Sequence, residues 1–217
     1  MGLWKHVAAQ FGKPVGLPGA QAGFIMAHRS SNDERNRWAI SLLHLKPGDR
    51  VLEIGFGPGT AIREMRNVAT SGFIWGLDHS PVMVRQASRR NARGIAAGNV
   101  ALRVGSVSEI PSSIDQLDKV LSINSYQFWH NPAAAINALY SRLRTGGVIA
   151  IVHQPRKPGS VDADADAAGE SIAERLRRAG FTGVRIEKKQ MKPVATVCVL
   201  GVKTPTPGSV GPTAPHE

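Results

Sequence analysis

The chain has 217 residues, 42% of them hydrophobic, and a formal charge of +11 from 27 Lys and Arg against 16 Asp and Glu. That is enough apolar mass for one α/β domain with a sizeable core, while no apolar run reaches the roughly 18 residues of a membrane span. A lone cysteine, Cys198, excludes an intramolecular disulfide framework, and the lack of a signal-peptide apolar segment makes the cytoplasm the expected location.

Along the chain, Leu3, Trp4, Val7, Ala8 and Phe11 recur at helical spacing with Lys5 and His6 between them. Three readings compete for this stripe: a helix packed on the core, a lid over the site, or a helix lying on a membrane surface. His28 and Arg29 follow and, with Trp4, are placed as substrate contacts. A second helix pattern covers residues 32–45, carries Arg35, Asn36 and Trp38 early, and leads through Lys46-Pro47-Gly48-Asp49 into a strand. Residues 1–45 are thus read as a helical lid or substrate segment, 46–203 as the main domain, and the Pro-, Gly- and Thr-rich residues 204–217 as a disordered tail.

The most informative stretch is VLEIGFGPGT, residues 51–60. Val51, Leu52 and Ile54 form a strand around Glu53, and Gly55, Gly57 and Gly59 strip side chains from the turn into a helix. A dinucleotide fingerprint would read G-x-G-x-x-G, whereas here the glycines fall G-x-G-x-G with an acid two residues before the first. A carboxylate there repels a pyrophosphate and attracts an ammonium or sulfonium group, so the ligand expected is cationic.

A second strand in residues 72–80 ends at Asp78, 23 residues after Gly55, with Pro81 opening a helix that Asp78 or Ser80 could cap. Residues 99–111 supply a third strand and a loop at Gly105, Ser106 and Val107. Residues 118–132 read as a fourth strand running into an aromatic and polar loop with Asn124, Tyr126, Phe128, Trp129 and His130. Residues 143–156 give a Gly-Gly turn and a fifth strand with His153 at its carboxyl end. A helix over 169–179 and strands over 181–187 and 195–203 complete the pattern.

Over roughly residues 38–203 these motifs resemble a class I S-adenosylmethionine-dependent methyltransferase of the small type-11-like kind. The resemblance implies an α/β fold, a Rossmann-like doubly wound seven-stranded sheet, mostly parallel with the last strand antiparallel. It assigns Glu53, Gly55, Gly57 and Gly59 to the methionine end of the cofactor, with Phe56 and Thr60 of the same turn. Asp78, with His79 beside it, falls on the ribose, Ser106 and Val107 on the adenine, and Asn124 completes the set. Similar enzymes usually carry Asp in place of Ser106, and a serine accepts a hydrogen bond more weakly.

Strand carboxyl ends hold the ligand in such sheets, which makes His153, Tyr126 and His130 the candidate catalytic groups and Tyr126 and Trp129 candidate acceptor contacts. A hydroxyl acceptor needs a base and an amine or thiolate does not; His153 is the better base at neutral pH, because a tyrosine titrates near 10. The tetrapeptide NSYQ, residues 124–127, is not the N-P-P-aromatic of adenine and glutamine amino methyltransferases, and Cys198 sits in a late apolar strand rather than as an RNA-methylating nucleophile. No cluster of carboxylates with metal-ligand spacing is evident, so no metal is expected.

The expected activity is methyl transfer to oxygen, nitrogen or sulfur of a small molecule. A phospholipid headgroup or RNA is the alternative acceptor, and an NAD-dependent oxidoreductase or a non-catalytic basic binding protein the alternative class. Arg85, Arg89, Arg90 and Arg93 crowd one helix, Arg175, Arg177 and Arg178 another, and Lys188, Lys189 and Lys192 the last hairpin. They form either a solvated face or a surface for an anionic ligand or membrane. Aromatics do not interleave with them, which disfavours nucleic acid.

Overall fold

A computed structural model describes residues 30–205. Trp4, His28, Arg29, the stripe from Leu3 to Phe11 and the tail beyond Pro205 lie outside the described residues.

Seven strands, β1 (Arg50–Ile54), β2 (Phe73–Asp78), β3 (Val100–Val104), β4 (Leu117–Ile123), β5 (Leu143–His153), β6 (Thr182–Lys189) and β7 (Thr196–Val202), form one sheet in the order β3-β2-β1-β4-β5-β7-β6. All neighbours pair parallel except β7, which runs antiparallel to both β5 and β6. The doubly wound architecture implied by the resemblance is thus present. The strand order reverses between β1 and β4, and the crevice outside their carboxyl ends is where such sheets take ligands.

Alternation along β5 sends Ile149 and Ile151 to one face and Ala150 and Val152 to the other. The first face is covered by α5 (Pro132–Arg142) through Ile136 and Leu139 and by α6 (Asp162–Arg178) through Ile172 and Leu176. The second is covered by α1 (Ser30–Leu42) and Leu43 behind it, α2 (Thr60–Val68) and α3 (Pro81–Arg90). The inner strands of a largely parallel sheet are thereby covered on both faces, while edge residues such as Val104 of β3 stay exposed. A short α4 (Ala92–Ala96) precedes β3.

Three local expectations change. α6 begins at Asp162 and not near 169: Asp164 accepts the Val161 N–H at 2.9 Å, Asp162 accepts the Ala195 N–H at 2.7 Å, and Gly169 sits inside the helix against Ile186 and Val197. α5 is an additional helix, which Asn131 caps through the Ala134 N–H at 3.1 Å with Pro132 at its first position. The helix expected over 32–45 spans Ser30–Leu42, and its Ala39, with Leu43 one turn on, is buried in the sheet core.

Candidate active site

β1 ends in the glycine turn, and the three glycines divide their work. A Cβ on Gly55 would stand 2.2 Å from the Ser125 Cβ, and one on Gly59 would stand 2.6 Å from the Ala87 Cβ of α3, so these two admit neighbouring protein. Gly57 has φ +54° and open space within 4 Å of its would-be Cβ, so its backbone can be approached closely. Ser125 bonds back to the Ile54 carbonyl at 2.8 Å and so couples the loop after β4 to the turn.

Asp78, the last residue of β2, accepts the Gly57 N–H at 2.8 Å and the Ser80 N–H at 2.9 Å. Capping of α3 falls to the Ser80 hydroxyl, which accepts from the Met83 N–H, leaving Asp78 to face the turn. Glu53 is 2% exposed and its Oε2 has no hydrogen-bond partner among the described residues. Burial, then the neighbouring charges of Asp78 and Glu64, pushes its carboxyl up to about 8. Two acids lie beside an open backbone turn, and a cationic group there would favour their ionised forms. A nucleoside carrying an ammonium and a sulfonium fits these residues.

The other members of the expected cofactor set have mixed surroundings. Thr60 accepts from the Asn36 amide at 2.8 Å, which ties α1 to the turn. Phe56 is buried against Gly76 of β2, Val107 is buried in the first core, and His79 and Ser106 are exposed. The Ser106 hydroxyl accepts its own loop's Ser108 N–H at 3.2 Å. Asn124 has φ +51°, accepts the Gln154 N–H at 2.8 Å, and keeps a buried Nδ2 with no partner among the described residues.

Tyr126 lies in a 3-10 turn, Tyr126–Phe128, just after β4, half-buried, its ring 5.2 Å from that of Trp129. Burial raises its pKa. Trp129 is only 9% exposed and packs in the first core, whereas His130 is exposed. His153 closes β5, its Nδ1 buried without a partner among the described residues, and burial lowers its pKa. Cys198 is buried on β7 with its thiol pushed up to about 12, which suits a structural residue.

Sequence reasoning passed over a second group at the same strand ends. Arg35 donates to the Gln154 and Asn32 side-chain oxygens, both at 2.8 Å, and Arg156 reaches the same two atoms. A signal was available: Arg35 stands one turn before Ala39 and two before Leu43, on the apolar stripe of α1. The basic helix residues gather elsewhere, where Arg63, Arg66, Arg89, Arg90 and Arg93 line a concavity of about 370 Å³.

With this geometry in view, residues 51–147 match the methyltransferase domain family. An uncharacterized methyltransferase, YdaC, of Bacillus subtilis (strain 168) is 33% identical over 85% of this chain and 99% of its own length. The erythromycin 3''-O-methyltransferase of Saccharopolyspora erythraea is 26% identical over 72% of this chain, which spans 58% of that protein. Among solved structures, the N-methyltransferase NodS from Bradyrhizobium japonicum in complex with S-adenosyl-L-homocysteine superposes with a TM-score of 0.65 at 15% identity, covering 82% of this chain and 90% of that one.

Proposed function

The chain belongs to the class I S-adenosylmethionine-dependent methyltransferases, and from that membership we propose that it methylates a small molecule at oxygen, nitrogen or sulfur. It is an enzyme that uses S-adenosylmethionine, which leaves no room for the oxidoreductase or the non-catalytic binder. The observation that carries the site reading is the trio of Glu53, Asp78 and Gly57: two buried acids flank a turn whose backbone is open to a ligand.

In this reading Asp78 takes the ribose hydroxyls, Glu53 faces the cationic methionine end, and Gly55, Gly57, Gly59, Phe56 and Thr60 shape the turn. Ser106 and Val107 border the adenine with His79 on the rim, and the spare Asn124 amide donates into the crevice. S-adenosylmethionine supplies an already activated methyl group, so the protein has chiefly to align the acceptor and exclude water. Tyr126, its pKa raised by burial, stays a phenol and positions the acceptor by donating. For a hydroxyl acceptor His153 is the base: burial lowers its pKa, so the imidazole is neutral at pH 7 and can take the proton.

A small acceptor is supported by the erythromycin-modifying relative. Residues 1–29, with Trp4, His28 and Arg29, serve in this reading as the lid and complete the acceptor pocket. No helix among the described residues is long and apolar enough to cross a membrane, and a cytoplasmic location is part of this reading. The test is incubation with S-adenosylmethionine and fractionated cell extract, scoring by mass spectrometry any metabolite that gains one CH₂. Methylation confined to the lipid or RNA fraction would overturn the small-molecule reading.

A further inference from the structure

We propose that Arg35 and Arg156, held by Asn32 and Gln154, form a subsite for a carboxylate or phosphate group on the methyl acceptor; the inference rests on the small-molecule reading above. Arg35 is 5% exposed, yet its two bonded nitrogens reach only neutral oxygens, those of Gln154 and Asn32, at 2.8 Å each. Its Nε is buried with no partner among the described residues. Arg156, whose residue is exposed, donates to the same Asn32 oxygen at 3.0 Å and the same Gln154 oxygen at 3.3 Å. Two guanidiniums thus converge on two shared neutral acceptors, and among the described residues Arg35 makes no ion pair.

A purely structural clamp between α1 and β5 would need one guanidinium. The second adds repulsion to a buried charge, a cost that an anion held by both forks would remove. In keeping with this, burial and then the Arg156 charge lower the pKa of Arg35. Gln154 is locked for the purpose: its Nε2 donates to the Val194 carbonyl at 2.8 Å, which turns Oε1 toward both arginines.

The location suits an acceptor. Gln154 follows His153 directly, and its N–H is held by the Asn124 side chain at 2.8 Å. On the other side, Asn36 beside Arg35 bonds Thr60 of the glycine turn. The arginine pair therefore adjoins the carboxyl ends of β4 and β5, where the acceptor lies in the proposed mechanism. Planar bidentate donors favour carboxylate or phosphate over halide.

The probe is inorganic phosphate, titrated by calorimetry into full-length protein saturated with S-adenosylhomocysteine, at ionic strength held constant with chloride. Saturable binding is expected, weakened at least tenfold in Arg156→Gln and in Arg35→Lys, with S-adenosylhomocysteine affinity within twofold of wild type. Arg156→Gln, at an exposed position, keeps the test valid if the Arg35 variant does not fold. No saturable phosphate binding, or binding that Arg156→Gln leaves intact, overturns the subsite. Phosphate that competes with S-adenosylhomocysteine also overturns it, because the anion would then be the cofactor's own carboxylate. The small-molecule reading fails by a different result, a methylated product found only in lipid or RNA. Where a small product is found, it should be anionic, and Arg156→Gln should raise its KM with little change in kcat; a neutral product refutes the proposal.

Discussion

Replacing Glu53 by glutamine should stabilise the ligand-free protein, by an amount that depends on pH. Glu53 is 2% exposed, and burial with Asp78 and Glu64 nearby pushes its carboxyl from its ordinary 4.5 to about 8. Between those values the native state binds a proton that the unfolded chain has released, so stability falls as pH rises through the window. At about 1.36 kcal/mol per pKa unit, Glu53 costs about 3 kcal/mol at pH 7 and about 5 kcal/mol above pH 9. Below about pH 4.5 both states are protonated and the cost vanishes. For a domain of this size each kcal/mol moves Tm by about 2–4 °C, so Glu53→Gln should melt roughly 6–12 °C higher at pH 7, more at pH 8.5, and close to wild type at pH 4.5. Scanning calorimetry of both proteins across that range decides it. A variant no more stable than wild type at pH 8.5, or a gap independent of pH, would refute the reasoning. The same carboxylate should link cofactor binding to pH, because a cationic ligand favours its ionised form. Affinity for S-adenosylmethionine should then rise from pH 6 to 8, by at most about tenfold per unit, with a proton released that buffers of different ionisation enthalpy would reveal. Glu53→Gln should bind more weakly and release none.

Asp78→Ala should weaken S-adenosylhomocysteine binding by about 1.5–3 kcal/mol, the range for hydrogen bonds to a charged group; unchanged affinity in calorimetry would leave Asp78 only its bonds to Gly57 and Ser80. Gly55→Ala drives a Cβ to 2.2 Å from Ser125 at φ +70° and should cost about 2–5 kcal/mol of stability. Gly57→Ala meets no neighbour and should cost about 1–2 kcal/mol, with its main effect on cofactor affinity; the opposite ranking in thermal melts would contradict the division of labour among the glycines. If the acceptor is a hydroxyl, turnover should rise with pH through an apparent pKa below the ordinary 6.5 of histidine, as burial of His153 dictates, and His153→Ala should flatten that limb and slow turnover by roughly 10²- to 10⁴-fold. A pH profile and rate that survive the substitution would remove His153 as the base.

What the sequence determined by itself is what short stretches of chain control. VLEIGFGPGT carries its own strand, turn and helix start, because three positive-φ glycines and a run of β-branched and apolar residues act over a few bonds. Asp78 was legible for the same reason, as the polar end of an apolar strand followed by Ser-Pro. α6 was misjudged at its start because one of its anchors is remote: Asp162 is satisfied by the Ala195 N–H, 33 residues away, while Gly169 resembles a helix boundary until Ile186 and Val197 are packed against it.

Only tertiary structure decided what each polar group is worth. Glu53 reads as an ordinary carboxylate until the sheet buries it beside Asp78 and Glu64, and the burial of Trp129 in the first core is set by α5, β4 and β5 together. The three glycines look equivalent until Ser125 and Ala87 arrive at two of them and leave the third open. Arg35 and Gln154 lie 119 residues apart, and the chain folds them to 2.8 Å. Burial, charge and hydrogen-bond supply are properties of neighbours in space, and in a doubly wound sheet those neighbours come from distant strands and helices.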